Sequence, residues 1–382
     1  MTNAAQGYFP AYTDALFSFL QDWKQLHPNA GVFAFIAEAD IEVVSQLQKS
    51  CNQLGITLVG GVFPSVISSD GIHKRGICLI NVPEMPPYFL LNQAGLGVAG
   101  ERIAEQVLNK LEQLQSTDET CTLFLIFDVL IPDIASRLDD LYLKIEDRVN
   151  YAGLCAGSET FQPIASVFSN DLQLTKGLLA ILWPETHKFI VQHGFSMPNQ
   201  MLMATSTHGN RITQINWKPA FEAYQELIHQ KYDVLLNKDN FYQYAVHYPL
   251  GLVRAADQIV VRIPILLDDD GALICSGEIP ENAMLTLFQA PPPNPNHFVN
   301  ELAEEISHTA TTTESMHLVF YCAGRKMHMG EGAQTEIDGL YEKSGDKEML
   351  GALTLGEIGT SSVGGQPVFH NMALVVCELS HE

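Results

Sequence analysis

The chain has 382 residues, 46% of them hydrophobic, which suits two packed units, since one core rarely grows beyond about 250–300 residues. Its 21 Lys and Arg stand against 44 Asp and Glu, a formal charge of −23, and the clustered cations that nucleic acid or an anionic membrane surface requires are missing. No apolar run approaches the ~18 residues that span a bilayer, the opening Met1-Thr2-Asn3-Ala4-Ala5-Gln6 has no leader pattern, and the seven scattered cysteines form no CxxC pair, so a cytoplasmic protein with reduced thiols is expected.

One order of elements is predicted three times: helix, apolar strand, helix, a strand with a Gly-containing bend, and a returning apolar strand. In the first copy Leu16, Phe19, Leu20, Trp23 and Leu26 define an amphipathic helix behind Thr13-Asp14. A strand over 31–36, a helix through Ile41, Val44, Leu47 and Cys51, a strand over 56–61 and a return over 76–80 follow. The second copy runs from the helix of Ile103, Val107, Leu111 and Leu114 through a strand over 123–128. Pro132 opens its next helix, with Ile134, Leu138, Leu141 and Ile145, and strands over 151–157 and 177–183 complete it.

A hairpin is then expected around His208-Gly209-Asn210, and a helix from Pro219 to about Ile228. The third copy places Phe298, Leu302 and Ile306 on a helix, a strand over 317–322, a looser helix around Ile337 and Leu340, and strands over 350–356 and 371–377. Pro86-Pro87 and Pro291-Pro292-Pro293-Asn294-Pro295 read as stiff spacers ahead of the second and third copies. Strand–helix–strand order favours parallel pairing and a short return favours antiparallel pairing. The expected fold is therefore α/β with mixed α+β character: two domains, 1–218 and 219–382, built from repeated units with mixed sheets flanked by helices.

Glycines recur where strands are expected to end: Gly60-Gly61, Gly153 and Gly157, Gly356 and Gly359. Ligands of α/β proteins gather beyond strand carboxyl ends, where Gly lets a backbone come close. Two bends share Gly-Glu-Ile, with Glu278 and Glu357 placed to accept from a ligand amine or to brace a loop. Tyr321-Cys322-Ala323-Gly324-Arg325 sets an arginine after a third bend, and its planar fork suits a carboxylate. Arg325 and Glu357 together would hold both ends of a zwitterion, or would pair with each other.

These segments carry a resemblance. Phe320-Tyr321-Cys322-Ala323-Gly324-Arg325, the stretch Gly351 to Ile358 with Gly356-Glu357, and Phe369-His370-Asn371 before the last strand resemble the FIST C-terminal domain. Gly60-Gly61-Val62-Phe63-Pro64, Gly153-Leu154-Cys155-Ala156-Gly157 and the Pro219 helix resemble the FIST N-terminal domain. Val62-Phe63-Pro64-Ser65 is bulkier than that domain's usual bend, and Asn216-Trp217-Lys218 stands where Asp-Gly is frequent.

The resemblance implies a small-ligand sensor, with amino acids as a proposed ligand class and a histidine kinase or cyclic-dinucleotide enzyme as partner. Taken together, the bends and the resemblance give the candidate ligand-binding set Arg325, Glu357, Cys322, Gly324, Gly356, Asn371 and Glu278. Some members are haem proteins that sense nitric oxide, which makes His73, His328 and His370 candidate axial ligands beside the Gly bends, with Tyr321 a further donor. An enzyme would need a nucleophile and a base, and Cys322 with His328 and Glu357 is the available set. GxSxG, Walker A and GxGxxG motifs are missing, so a sensor rather than a catalyst is expected.

Overall fold

The structure, a computed structural model, describes residues 6–92, 101–113, 121–183, 189–195, 200–254, 259–288, 295–307, 315–345, 347–360 and 364–380. Met1–Ala5, Leu114 and the proline spacer over 291–294 lie outside the described residues. The fold is mixed α/β, as the sequence predicts.

The first copy comprises β1 (Gln6–Phe9), α1 (Asp14–Leu26), β2 (Gly31–Ala37), α2 (Val43–Leu54), β3 (Thr57–Phe63), a hairpin of β4 (Val66–Ser68) and β5 (Gly71–His73), and β6 (Ile77–Val82). The second repeats it as β7 (Tyr88–Asn92), α3 (Glu101–Gln113), β8 (Cys121–Asp128), α4 (Ile134–Ile145), β9 (Val149–Ala156), the hairpin β10 (Val167–Ser169) and β11 (Gln173–Leu174), and β12 (Gly177–Trp183).

The third opens with β13 (Phe189–Gln192) and is then interrupted. The interruption contains β14 (Leu202–His208), β15 (Arg211–Ile215), β16 (Lys218–Pro219), α5 (Ala220–Tyr232), α6 (Phe241–Ala245), β17 (Leu250–Val253), β18 (Ile259–Arg262), β19 (Pro264–Leu267), β20 (Leu273–Cys275) and β21 (Ala283–Leu287). The copy resumes with α7 (Pro295–Ser307), β22 (Ser315–Cys322), α8 (Ala323–Met329), α9 (Gly332–Lys343), β23 (Met349–Thr354), the hairpin β24 (Glu357–Gly359) and β25 (Val368–His370), and β26 (Leu374–Ser380).

Strand order reveals how the copies interlock. The three sheets run β1-β6-β2-β3-β10-β11, β7-β12-β8-β9-β24-β25 and β13-β26-β22-β23-β4-β5. Each copy supplies four strands of its own sheet and gives its hairpin to another copy's sheet. The donations form a closed ring: the second copy gives to the first, the third to the second, the first to the third. In each of these three sheets one pair is parallel (β2 with β3, β8 with β9, β22 with β23) and the returning strand is antiparallel. The helix between the paired strands is the crossover that parallel pairing requires.

Burial explains the uninterrupted hydrophobic strands. Phe33 and Phe35 of β2, Phe124 and Ile126 of β8, and Leu318 and Phe320 of β22 point into one central cluster shared by the three copies. The ring centroids of Phe35 and Phe320 lie 5.6 Å apart, those of Phe33 and Phe124 5.7 Å, and those of Phe124 and Phe320 5.9 Å. The alternate residues face each copy's own helices: Val32, Ala34 and Ile36 meet α1 and α2, Leu123 and Leu125 meet α3 and α4, and Val319 and Tyr321 meet α7 and α9. Such strands are buried on both faces, which replaces alternation with continuous apolar runs.

Three sequence expectations change. Gly60 and Gly153 do not end strands; they lie inside β3 and β9, as Gly351 does inside β23. Their register partners are Ala34, Leu125 and Val319. A Cβ on these glycines would stand 2.1, 2.2 and 1.7 Å from the partner's carbonyl oxygen, so at this level each parallel pair requires a residue without a side chain. Second, each copy begins with a strand and carries a short hairpin that the repeat pattern does not contain. Both are signals from distant pairing: the hairpin strands are two or three residues long and β7 is half-exposed throughout. Third, α8 starts at Ala323, so Gly324 and Arg325 belong to a helix rather than a bend.

The interruption forms a fourth sheet, β18-β17-β21-β14-β15-β20-β19 with β16 on β15. Its face is covered by Ala220, Ala223, Tyr224 and Ile228 of α5. The expected hairpin at Gly209 is the β14–β15 turn. Position 218/219 falls within β16, one residue before α5, and the second, third and fourth sheets each draw strands from both sides of it. At the neighbouring turn Asn216 and Trp217 both have positive φ, 50° and 62°, the backbone that Asp-Gly adopts without strain.

Candidate functional site

Where the fourth sheet meets the strand ends of the second and third copies, two cavities adjoin. The first, about 250 Å³, lies at the carboxyl ends of β22 and β23. Cys322, Ala323, Gly324 and Leu355 come from the third copy, Glu159 and Phe161 from the loop after β9, Asn371 from the end of β25, and Tyr242, Ile263, Ile265 and Ser276 from the interruption. The second, about 350 Å³, lies beyond β8 and is walled by Val129 to Ile134, Asn210, Cys275 to Glu278 and Phe369. Phe161, Ile265, Ser276 and Leu355 line both. Cavities of this size and position are ordinary for ligand sites of α/β proteins.

Local sequence explains the close fit. Gly324 faces the interruption directly: a Cβ there would lie 2.5 Å from Ile263 Cδ1, so glycine lets Ile263 reach the helix. Gly356 has φ 153° and leaves room for the Phe369 ring, 2.3 Å from where its Cβ would be. Phe161 also has positive φ, 56°, a strained backbone for an aromatic residue that holds it in the wall between the cavities.

Asn371 is 1% exposed, and its polar atoms are used unequally. The Ile263 N–H donates to Ser276 Oγ at 3.0 Å, and the Ser276 hydroxyl donates to Asn371 Oδ1 at 2.8 Å. This chain of bonds fixes the amide and leaves Nδ2 with no hydrogen-bond partner among the described residues. Asn371 lines the first cavity, and an unused donor in a cavity wall can bond to a ligand acceptor.

The other candidates separate into structural groups. Glu278 lines the second cavity, and both its oxygens are occupied by backbone N–H groups at the start of α4, from Ala135 at 3.1 Å and Ser136 at 2.9 Å. Cys322 lines the first cavity with a buried thiol whose sulfur accepts from the Met372 N–H at 3.2 Å. Burial pushes that thiol well above its ordinary range, and neighbouring Glu357 pushes it further. A nucleophilic cysteine requires the opposite. Glu357 is fully buried, accepts from the Thr354 hydroxyl through Oε1, and has no partner on Oε2 among the described residues. Burial pushes its carboxyl up to about 8, so it is neutral near pH 7.

Arg325 and Glu357 do not form the zwitterion clamp or the mutual salt bridge. Arg325 lines neither cavity; its Nε and Nη2 bind Glu336 at 2.8 and 2.7 Å, its Nη1 donates to His193 O at 3.0 Å, and it lies 4.0 Å over the Phe298 ring. The Tyr321 hydroxyl donates to the same Glu336 at 2.6 Å. Both partners are buried, as a bidentate pair in a low-dielectric setting requires. Glu336 carries no strand-end signature, which is why sequence reasoning passed over it. Arg262 was missed likewise: buried, it donates to Glu278 O, Val261 O and Phe369 O, and burial lowers its guanidinium to about 10.

The histidines do not fit the haem expectation. His73 stacks on Tyr8 at 4.2 Å and shares a 2.8 Å hydrogen bond with Ser68, on the hairpin given to the third sheet. His328 of α8 bonds through Nδ1 to His247 Nδ1. His370 is buried, its Nδ1 unpartnered among the described residues, and burial lowers its ring to about 3. These are three separate places, Tyr321 is held by Glu336, and none of the four lines either cavity.

Fold and site together define an interlocked three-copy α/β protein with a ligand-sized cleft against an inserted sheet. Residues 31–218 match the FIST N domain and residues 220–360 the FIST C domain. The chain belongs to the FIST family, whose domains are associated with sensory and signal-transduction roles. No curated protein matches it. Among the described residues no helix is long and apolar enough to cross a membrane.

Proposed function

We propose that this chain is a small-ligand sensor whose ligand occupies the first cavity and whose liganded state is read by a partner signalling enzyme such as a histidine kinase or a cyclic-dinucleotide enzyme. The observation that carries the reading is the Asn371 amide, buried in a cavity wall, braced by Ser276 and left with an unused donor. A ligand there touches the third copy, the loop after β9 and the fourth sheet together, so binding energy couples three separately built parts.

The lining favours a ligand with an apolar body and a hydrogen-bond acceptor. Among the described residues no Lys, Arg or His lines either cavity. A carboxylate would therefore meet no cation, which sets uncharged or cationic ligands ahead of free amino acids.

The test is differential scanning fluorimetry with a panel of small lactams and alkyl amides, followed by calorimetry on those that raise Tm. Asn371→Ala, and Asn371→Asp, which retains the Ser276 contact while replacing the donor, are both expected to weaken binding about tenfold, the worth of one buried hydrogen bond. Equal affinity in all three proteins would refute the site. For the partner, a kinase or cyclic-dinucleotide enzyme whose activity does not change with ligand-loaded chain would refute the output.

A further inference from the structure

We infer that His247 and His328 form a proton-released latch over the first cavity. While the two imidazoles are hydrogen-bonded, α6 is fastened to α8; when both are protonated, α6 is released together with Tyr242, which it carries in the cavity wall. The inference rests on the first cavity being the ligand site and adds how entry to it is regulated.

Gly324 and His328 are four residues apart on α8, so they share a face, and that face meets the interruption at two points. One is the close approach of Gly324 to Ile263 inside the cavity. The other is His328 Nδ1 against Nδ1 of His247, two residues past the end of α6, with ring centroids 4.8 Å apart and planes at 63°. Met327, next to His328 in the chain, lines the cavity and is 44% exposed, which sets the pair at the cavity's open side.

The two sides of this seam are held unequally. Arg325 pins α8 through its bonds to Glu336 and His193 O. By contrast α6 is five residues long, and among the described residues none of its side chains forms a hydrogen bond; Phe241 and Ala245 hold it by apolar packing alone. It is the side able to move.

A hydrogen bond between two Nδ1 atoms needs one N–H and one lone pair. The first added proton leaves it intact, because an imidazolium donates to a neutral ring. The second removes the lone pair and sets two cations face to face. Burial, and after it the neighbouring His328, push the His247 ring below its ordinary value of 6.5. The phenols around the pair stay neutral in this range: Tyr248 at 6.5 Å from His247, Tyr232 stacked on it from α5, and Tyr242 and Tyr244 of α6. Beneath α6, β19 has no ionisable residue. On the α8 side, Glu336 of α9 and Tyr321 of β22 are bonded to each other, and Lys326 and Glu331 flank His328 in the chain with opposite charges. The open state thus binds one proton more than the latched state, and opening rises as pH falls below 6.5.

The probe is 4,4′-dithiodipyridine, which forms a mixed disulfide with a thiol, releases 4-thiopyridone and stays reactive in acid. Its rate at Cys322, inside the first cavity, is read from the mass of the Cys322 peptide. From pH 6.5 to pH 5 the rate is expected to rise about tenfold in the unmodified chain, as uptake of one further proton on opening requires. His328→Asn and His247→Asn each keep a partner of either hydrogen-bonding sense without a second charge, and should hold the rate within about twofold. In His328→Asn the His247 ring should also titrate at higher pH by NMR, because the partner that lowers it is gone. A flat rate in the unmodified chain, an equal rise in both Asn variants, or a His247 titration that His328→Asn does not move would overturn the latch. No ligand enters this test, so a failed lactam and amide panel would remove the ligand site and leave the latch result standing.

Discussion

Replacing Glu357 by Gln tests whether a neutral carboxyl lies beneath the Cys322 end of the cleft. In the folded chain burial holds the Glu357 proton up to about 8, against an ordinary value of 4.5. Between those two values the unfolded chain has released a proton that the folded chain retains. Stability therefore falls as pH rises through this window, by about 1.4 kcal/mol per pH unit, and levels off above the folded pKa. The substituted amide keeps the shape and the Thr354 hydroxyl contact but does not titrate. From pH 5 to pH 8 the stability of Glu357→Gln relative to the unmodified protein should rise by about 4 kcal/mol. Urea unfolding of both proteins at pH 5, 6, 7 and 8 measures the difference directly. His193, His317 and His370, which burial lowers to about 4, 4 and 3, have the opposite sign below pH 6.5, but they are common to both proteins and cancel. Parallel stability curves would refute a raised Glu357.

Gly153→Ala should cost about 3 kcal/mol or more, because its Cβ would sit 2.2 Å from Leu125 O inside the parallel pair. Gly345→Ala, at φ 81° with nothing within 4 Å, should cost only the backbone penalty of about 1–2 kcal/mol, and chemical denaturation of both compares them. Arg325→Ala should destabilise by about 3–5 kcal/mol through the stranded Glu336, and Arg325→Met with Glu336→Leu should recover much of it in thermal melts. A single substitution that leaves Tm unchanged would contradict the buried pair. Cys322 should react with iodoacetamide at pH 7 more slowly than a free thiol, and mass spectrometry showing rapid alkylation of the folded chain would restore the nucleophile reading.

Legibility followed the range of the interactions. The helices α1, α2, α4, α5 and α7 are visible in sequence because their buried residues repeat within a few positions, as Leu16, Leu20 and Trp23 do. The three core strands are visible because burial on both faces makes them apolar throughout. The hairpins were not, since Val66–Ser68 and Glu357–Gly359 are three residues long and join a larger sheet only through partners in another copy. Cys322, Gly324 and Glu278 were found from strand-end motifs and Asn371 from the family resemblance, and all four line the two cavities. Phe161 and Tyr242 carry no local motif that marks them as lining residues.

By itself the sequence determined the threefold repetition, the mixed α/β class and the family, because each depends on patterns within about thirty residues. Only the tertiary structure decided that the copies exchange hairpins, that Arg325 belongs to Glu336 rather than to Glu357, and that the cleft joins strand ends to an inserted sheet. The hairpin exchange and the cleft join groups far apart in the chain, and Arg325 and Glu336, only 11 residues apart, meet because α8 packs on α9; in each case charge pairing and desolvation are set by position in space and not by spacing along the chain.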